Sequence, residues 1–278
     1  MTSTTSRSTL SPDGAAVPAI SLRGAALSFG PRTLWEGLDL DIMPGEFFAV
    51  LGPNGSGKTS FLKVLLGLLP LDAGTATIGG HPITRGSRSL GYIPQQKSFP
   101  PETPLRARDL VGLGVDGHRW GLRLRSGSYR ERVDGLLRDV GAESYADAPV
   151  GLLSGGEQQR LRAAQALATD PSVLLCDEPL LSLDLNHQQA VSSLINRQCH
   201  DRNSAVVFVT HEINPVIEYV DRVLYLADGR FRVGTPADVM TSEVLSDLYD
   251  SPVEVFSSNG RIVVVGLPDA TTHHHESA

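Results

Sequence analysis

One stretch constrains this chain more than any other. Phe47 to Leu51 are five consecutive apolar residues, and they run directly into Gly52-Pro53-Asn54-Gly55-Ser56-Gly57-Lys58-Thr59-Ser60. From there apolar residues recur at helical spacing as far as Leu69, where Pro70 stops them. Strand, glycine-rich loop and helix start follow one another in the context that the pattern G-x-x-x-x-G-K-[ST] requires, and residues 52–59 fit it throughout. The glycines let the backbone curl so that successive N–H groups converge on one anion. The helix N-terminus adds its positive end. Lys58 supplies a flexible point charge for β- and γ-phosphates, and the Thr59 hydroxyl is suited to a Mg²⁺ shell. The loop reads as a nucleoside triphosphate site.

A strand–loop–helix unit of this kind belongs to a parallel sheet, and the rest of the chain supplies one. Period-2 alternation predicts strands over 19–29 and 38–42, with shorter ones over 74–78 and 90–93. A helix over 155–168, a strand over 173–176, a helix over 185–199 and a strand over 205–210 then alternate. A helix and a strand after His211 lead into a β-rich segment ending near Val265. Strands alternating with helices mean an α/β fold with a mainly parallel sheet. Between about residues 100 and 149 the pattern changes to a helical insert, with helices over 105–113 and 129–140 around an Arg- and Gly-rich loop, 119–132. That loop reads equally as a solvated face and as a partner surface. Residues 1–18 are rich in Ser and Thr and lack an apolar core, so they read as a disordered tail and not as a secretory signal. Residues 267–278 read as a second disordered tail, its histidine run 273–275 being inert by preference over metal-binding.

Composition excludes several classes. At 278 residues, 41 % hydrophobic and 20 % charged, the chain has the makings of a sizeable core. A net charge of −7 argues against broad nucleic-acid binding. Cys176 and Cys199 cannot build a disulfide framework, which fits a reducing compartment. No apolar run approaches the roughly 18 residues a membrane-spanning helix needs.

Two further segments carry chemistry. Val173-Leu174-Leu175-Cys176-Asp177-Glu178 is an apolar strand that delivers two carboxylates at its carboxyl end, the ligand edge of open α/β sheets. Asp177 is placed to hold Mg²⁺, usually through water, and Glu178 to polarise an attacking water as general base. Leu153-Ser154-Gly155-Gly156-Glu157-Gln158-Gln159-Arg160 opens a helix with a serine, two glycines and an acid, a second anion-binding N-terminus with capping character.

Taken with the loop at 52–59, the segment at 153–157 resembles the signature of ATP-binding cassette (ABC) ATPases, and other motifs of that family stand in their usual order. Gln95 in Tyr92-Ile93-Pro94-Gln95 resembles the Q-loop glutamine, Ser182-Leu183-Asp184 resembles the D-loop, and His211 after Thr210 resembles the switch histidine. Phe29 matches the aromatic that stacks on adenine, although that residue is commonly Tyr; Leu181-Ser182-Leu183-Asp184 likewise departs from the common Ser-Ala-Leu-Asp. The resemblance covers about residues 20–240.

It implies a P-loop NTPase (RecA-like) core with a mainly parallel sheet, an antiparallel β subdomain and a helical insert. The implied domain limits are 19–240 for the ATPase, with the helical subdomain at about 97–165, and 241–266 for a C-terminal β-rich extension. The implied roles are catalysis for Glu178, His211 and Gln95, and Mg²⁺ contact for Thr59, Gln95 and Asp177. ATP contact is implied for Phe29, residues 52–60, Ser154, Gly155, Gly156, Glu157 and Asp184. Two copies are expected to pack head to tail, the signature of one closing over ATP held by the other. With one cassette and no spanning helix, a transporter of this kind needs a separate integral membrane permease and an extracytoplasmic substrate-binding protein, which puts the chain peripherally at the cytoplasmic face of the plasma membrane. The segments 184–188, 211–216 and 248–255 are similar in wording to cassettes of zinc- or manganese-type importers, with iron-siderophore transport and a nucleic-acid-directed cassette as the alternatives. The interval from Thr59 to Leu153 is too short for the long coiled coils of chromosome-maintenance cassettes and lacks heptads.

Overall fold

The computed structural model of the protein describes residues 17–95, 98–117, 127–181 and 183–266. The two expected tails fall outside the described residues except for Val17 and Pro18, as do Ser182, the 273–275 histidines and residues 119–126 of the Arg-rich loop.

The chain begins with strands β1 (Ile20–Phe29), β2 (Arg32–Ile42) and β3 (Phe47–Leu51), helix α1 (Lys58–Leu65), and strands β4 (Ala73–Ile78), β5 (His81–Pro82) and β6 (Leu90–Ile93). The insert contributes α2 (Ala107–Asp116), α3 (Gly127–Asp139) and α4 (Gly155–Ala166). The core resumes with β7 (Val173–Asp177), α5 (Leu185–Asp201), β8 (Ala205–Val209), β9 (Arg222–Ala227) and β10 (Arg230–Gly234). Helices α6 (Pro236–Val239) and α7 (Ser242–Tyr249) precede a hairpin, β11 (Val253–Ser258) and β12 (Arg261–Gly266).

The central sheet has six strands in the order β10-β9-β3-β8-β7-β6. All its pairings are parallel except that of β10 with β9. Every residue of β3, β7 and β8 is buried, which explains why these strands read as unbroken apolar runs. Alternation still sorts them between two cores. Phe47, Ala49, Leu174, Cys176, Val206 and Phe208 face the helical insert and α5. Phe48, Val50, Val173, Leu175, Val207 and Val209 face α1 and a second, antiparallel sheet, β2-β1-β4-β5. Helix α1 and helix α4 therefore lie on opposite faces of the central sheet.

The insert is closed at its base where Arg106 bridges Pro149 and Val150 N–H donates to Leu105 O at 2.8 Å. Arg132, read as part of the Arg-rich loop, sits within α3, pairs with Asp170 at 2.9 Å and donates to the Leu167 and Ala168 carbonyls at 3.3 Å. It ties α3 to the end of α4.

Two segments differ from the sequence expectation. The helix expected after His211 is a single 3-10 turn, Ile217–Tyr219. Pro215 withholds an amide donor there, and Val216 and Ile217 are β-branched. The segment 241–266, read as wholly β-rich, opens with α7. Thr241 caps that helix by accepting from Val244 N–H at 3.2 Å, and Leu245 and Leu248 bury its inner face.

Trp35 on β2 is fully buried and meets Phe61 of α1 edge-on at 6.2 Å. It clamps the antiparallel sheet to the helix that follows the phosphate loop. Trp35→Ala should lower unfolding free energy in urea by about 3–5 kcal/mol. A loss below about 1 kcal/mol would mean that this contact does not hold the two layers together.

Candidate active site

Sheet register decides which residues meet. Val50 pairs with Val209, Val209 with Asp177, and Cys176 with Ile93. These strands are parallel, so their carboxyl ends open at one edge, where open α/β sheets hold ligands. Gly52 leaves that edge after β3, His211 after β8, Asp177 and Glu178 at the end of β7, and Gln95 after β6.

The loop after β3 is shaped by close approach. Gly52 has φ 138°, and a Cβ there would stand 2.0 Å from the Leu226 carbonyl oxygen. Gly57 has φ 103° and presses against Leu34 and Trp35 of β2. No other residue type tolerates both conditions. Lys58 is buried and folds back across the loop, its Nζ donating to Gly52 O at 2.6 Å and Pro53 O at 3.0 Å. Burial lowers its pKa, against the pull of the Glu178 and Asp177 charges. The ammonium is thus held at the loop, in the field of both carboxylates. Gly52→Ala should abolish nucleotide binding measured by calorimetry. Binding unchanged in that variant would show that the loop can relax away from β9.

Asp177 is 3 % exposed. Thr59 Oγ1 donates to its Oδ1 at 3.4 Å and Tyr92 Oη to its Oδ2 at 3.5 Å. Burial first, and then the neighbouring Glu178 charge, push its carboxyl above the ordinary value. Burial likewise pushes the Tyr92 hydroxyl up to about 12, so it remains a donor. A buried carboxylate beside a threonine hydroxyl is an all-oxygen donor set, the kind a hard cation such as Mg²⁺ takes. Tyr92 escaped the sequence reading as a separate site residue; its place next to Asp177 comes from the β6–β7 pairing. Glu178 turns out of the strand with φ 46°, a left-handed conformation that costs a non-glycine residue on the order of 1 kcal/mol or more. Its N–H donates to Val209 O at 2.9 Å. His211 Nδ1 lies 3.2 Å from Glu178 Oε2, and the imidazole is otherwise exposed.

The signature segment forms a capping box at the start of α4: Ser154 Oγ accepts from Glu157 N–H, and Glu157 Oε2 accepts from Ser154 N–H at 2.8 Å. The amides of Gly155 and Gly156 are N1 and N2 of the helix, which no α-helix can bond internally. Ser154 is exposed. Gln158, unassigned by sequence reading, is buried in the next turn. It accepts from Phe99 N–H at 3.0 Å and donates to Val150 O and Leu153 O at 3.1 and 3.0 Å, tying the segment after Gln95 to the signature turn. Asp184 caps α5 by accepting from His187 N–H at 3.0 Å, and the His187 ring stands 3.4 Å from where a Cβ on Gly156 would lie. The D-loop-like turn and the signature are thus neighbours within one chain.

Phe29 is 80 % exposed at the end of β1, paired across the turn with Arg32. The Arg32 guanidinium reaches within 3.7 Å of the Cβ position of Gly55, which sets this turn beside the phosphate loop. Gln95 is exposed at the mouth of the edge.

A glycine-rich loop on a helix N-terminus, facing a strand that ends in paired carboxylates, defines a P-loop nucleoside triphosphatase of the α/β class. The sequence profile of the ABC transporter family matches residues 35–181. The chain is 30 % identical over 250 residues to the manganese transport system ATP-binding protein MntB of Halalkalibacterium halodurans, spanning 90 % of this chain and 99 % of MntB. It is 32 % identical over 253 residues to the hemin import ATP-binding protein HmuV of Streptomyces coelicolor, spanning 87 % and 88 %. Among solved structures it matches a chain of a transporter described as metal-chelate type, in an inward-facing conformation, with a TM-score of 0.76 and 26 % identity over 91 % of this chain and 98 % of the other. It also matches a dimeric ATP-binding cassette in a post-hydrolysis state bound to ADP and Pi, with a TM-score of 0.67 and 28 % identity over 78 % and 98 %. The chain belongs to the ABC transporter family, and it is the ATP-binding, ATP-hydrolysing subunit of such a transporter. No helix among the described residues is long and apolar enough to cross a membrane.

The raised Asp177 pKa has a consequence for stability. The fold favours the protonated acid, so its contribution is most favourable below the ordinary carboxylate value and is lost as pH rises through the raised one. Asp177→Asn should therefore raise Tm at pH 7.5, and the gain should shrink as pH falls toward the ordinary carboxylate range. A Mg²⁺–ATP analogue should stabilise the native protein more than the variant. A variant less stable than the native protein at pH 7.5 would contradict this reading of the site.

Proposed function

We propose that two copies of the chain close head to tail over two molecules of MgATP and drive a membrane permease that imports a divalent metal ion of the manganese or zinc class. The observation that carries the nucleotide part is the placement of α1 and α4 on opposite faces of the central sheet. One chain offers two phosphate-seeking helix N-termini on different sides of itself. A second copy, turned about a two-fold axis, completes each site.

In that site the amides of residues 52–60 and Lys58 hold the β- and γ-phosphates, and the Phe29 ring stacks on the base. Thr59 and Asp177, with Gln95, would hold the Mg²⁺ bound to ATP, and that ion would neutralise phosphate charge. Glu178, at the end of the same strand as Asp177, takes the proton of the attacking water. His211, bonded to Glu178, contacts the γ-phosphate. Ser154, Gly155, Gly156 and Glu157 of the second copy close over the same phosphate, and Asp184 joins the two sites. ATP is then the cement of the pair, and its hydrolysis reopens them, which turns phosphate chemistry into motion.

The cargo assignment rests on the likeness to MntB, together with a solved relative described as metal-chelate type. The likeness to HmuV supports hemin or another iron chelate as the second reading. Either cargo is recognised outside this chain, by the permease and by an extracytoplasmic binding protein, with the cassette held at the cytoplasmic face. In liposomes containing the permease complex and its binding protein, Mn²⁺ or Zn²⁺ should raise ATP turnover and hemin should not; stimulation by hemin alone would reverse the assignment.

Gly155→Asp puts a carboxylate where a phosphate should sit. Nucleotide affinity should stay within about threefold, while turnover falls by about 100-fold or more. Unchanged turnover would defeat the shared site.

A further inference from the structure

Asn214 stands three residues after His211, in a loop pinned at three points. Thr210 N–H donates to Val50 O at 3.1 Å, and its Oγ1 accepts from Glu212 N–H at 3.1 Å. Ile213 is buried. The third anchor comes from the far end of the chain. Asn214 Nδ2 donates to the Ile262 carbonyl at 2.8 Å, and Asn214 Oδ1 accepts from the Ile262 N–H at 2.8 Å. One side-chain amide thus satisfies both backbone groups of a residue on the open edge of β12.

The hairpin β11–β12 forms a separate two-stranded sheet, a unit that is marginal on its own. Its other edge is fixed in the same manner. Val253 N–H donates to Ser246 Oγ at 2.9 Å, and Val255 N–H donates to Ser242 Oγ at 2.9 Å, both hydroxyls belonging to α7. Ile262 and Val255 also pack against the core beneath the insert. The hairpin is therefore a brace strung between α7 and the loop that carries His211. By contrast, among the described residues the imidazole itself bonds to Glu178, at 3.2 Å. Its aim follows the backbone of residues 210–214.

We infer that Asn214 is a positioning residue for ATP hydrolysis: by clamping Ile262, it makes the C-terminal hairpin set the orientation of His211 toward Glu178 and the γ-phosphate. The inference rests on the reading of His211 given above. A misplacement of about 1 Å at a reacting group is enough to cost up to about 100-fold in rate, and loosening a loop three residues away from it is a milder displacement. Asn was not singled out in the sequence because its partner lies 48 residues downstream.

The test compares Asn214→Ala, which loses both bonds, with Asn214→Asp, which keeps the acceptor for the Ile262 N–H. Steady-state ATP turnover, KM for MgATP, Tm and amide hydrogen exchange are measured on the full chain, with His211→Ala as reference. Asn214→Ala should speed exchange at Ile262, lower kcat about tenfold and leave KM within twofold; Asn214→Asp should recover part of the lost kcat. If Asn214→Ala speeds exchange at Ile262 and lowers Tm but keeps the native kcat, the clamp is structural only and the inference falls, while the reading of His211 stands. If His211→Ala itself keeps native turnover, the role of His211 fails, and the inference fails with it. Should Asn214→Ala not fold, Asn214→Asp decides: a lowered kcat at unchanged KM upholds the inference, and a native kcat with faster exchange at Ile262 overturns it.

Discussion

The parallel pairing of β3, β8, β7 and β6 is the constraint on which everything else depends. Four strands in this register bring Gly52, His211, Asp177, Glu178 and Gln95 to a single edge, although they are spread over 160 residues of chain. Every residue of three of these strands is buried, and their side chains sort by alternation into two cores. A one-residue slip of β7 against β8 would exchange the two faces and swing the carboxylates off the edge. The register is thus held by apolar packing on both sides of the sheet, and the polar site inherits its geometry from that packing.

The site itself is not at ease. Asp177 is buried next to another carboxylate, Glu178 has a left-handed backbone, and Lys58 is desolvated over its own loop. Each of these reduces the stability of the free chain, and a polyanion carrying a cation would relieve the two electrostatic ones, at Asp177 and Lys58. In the proposed site the loop amides and Lys58 would take the negative charge, and Asp177 with Thr59 the positive one. Folding energy stored in this way is what nucleotide binding can draw on to favour a closed pair of copies.

How much of this could be read in the sequence follows a physical rule. Phosphate loop, paired carboxylates and signature were legible because their chemistry is local: consecutive residues on one strand end or one helix start do the work. Strands β3, β7 and β8 were legible because burial on both faces writes itself as an apolar run. Where local and distant signals compete, the reading was poorer. The turn after His211 looked helical until Pro215 and two β-branched residues limited it to 3-10 geometry. Residues 241–249 were absorbed into a β-rich tail although Thr241 and Glu243 offered a helix start. Tyr92, Gln158 and Asn214 were missed as site residues because their partners, Asp177, Phe99 and Ile262, lie 85, 59 and 48 residues away. Nothing local marks a glutamine or asparagine whose task is to satisfy someone else's backbone.

The central claim is that closure of two copies around ATP uses the Ser154 helix end of one against the Lys58 loop of the other. The most direct measurement is light scattering on Glu178→Gln protein, with and without MgATP, repeated on Glu178→Gln protein that also carries Gly155→Asp. The account predicts an ATP-dependent doubling of mass that the added Gly155→Asp abolishes. A protein that stays monomeric at saturating MgATP, or one whose doubling survives Gly155→Asp, would contradict it.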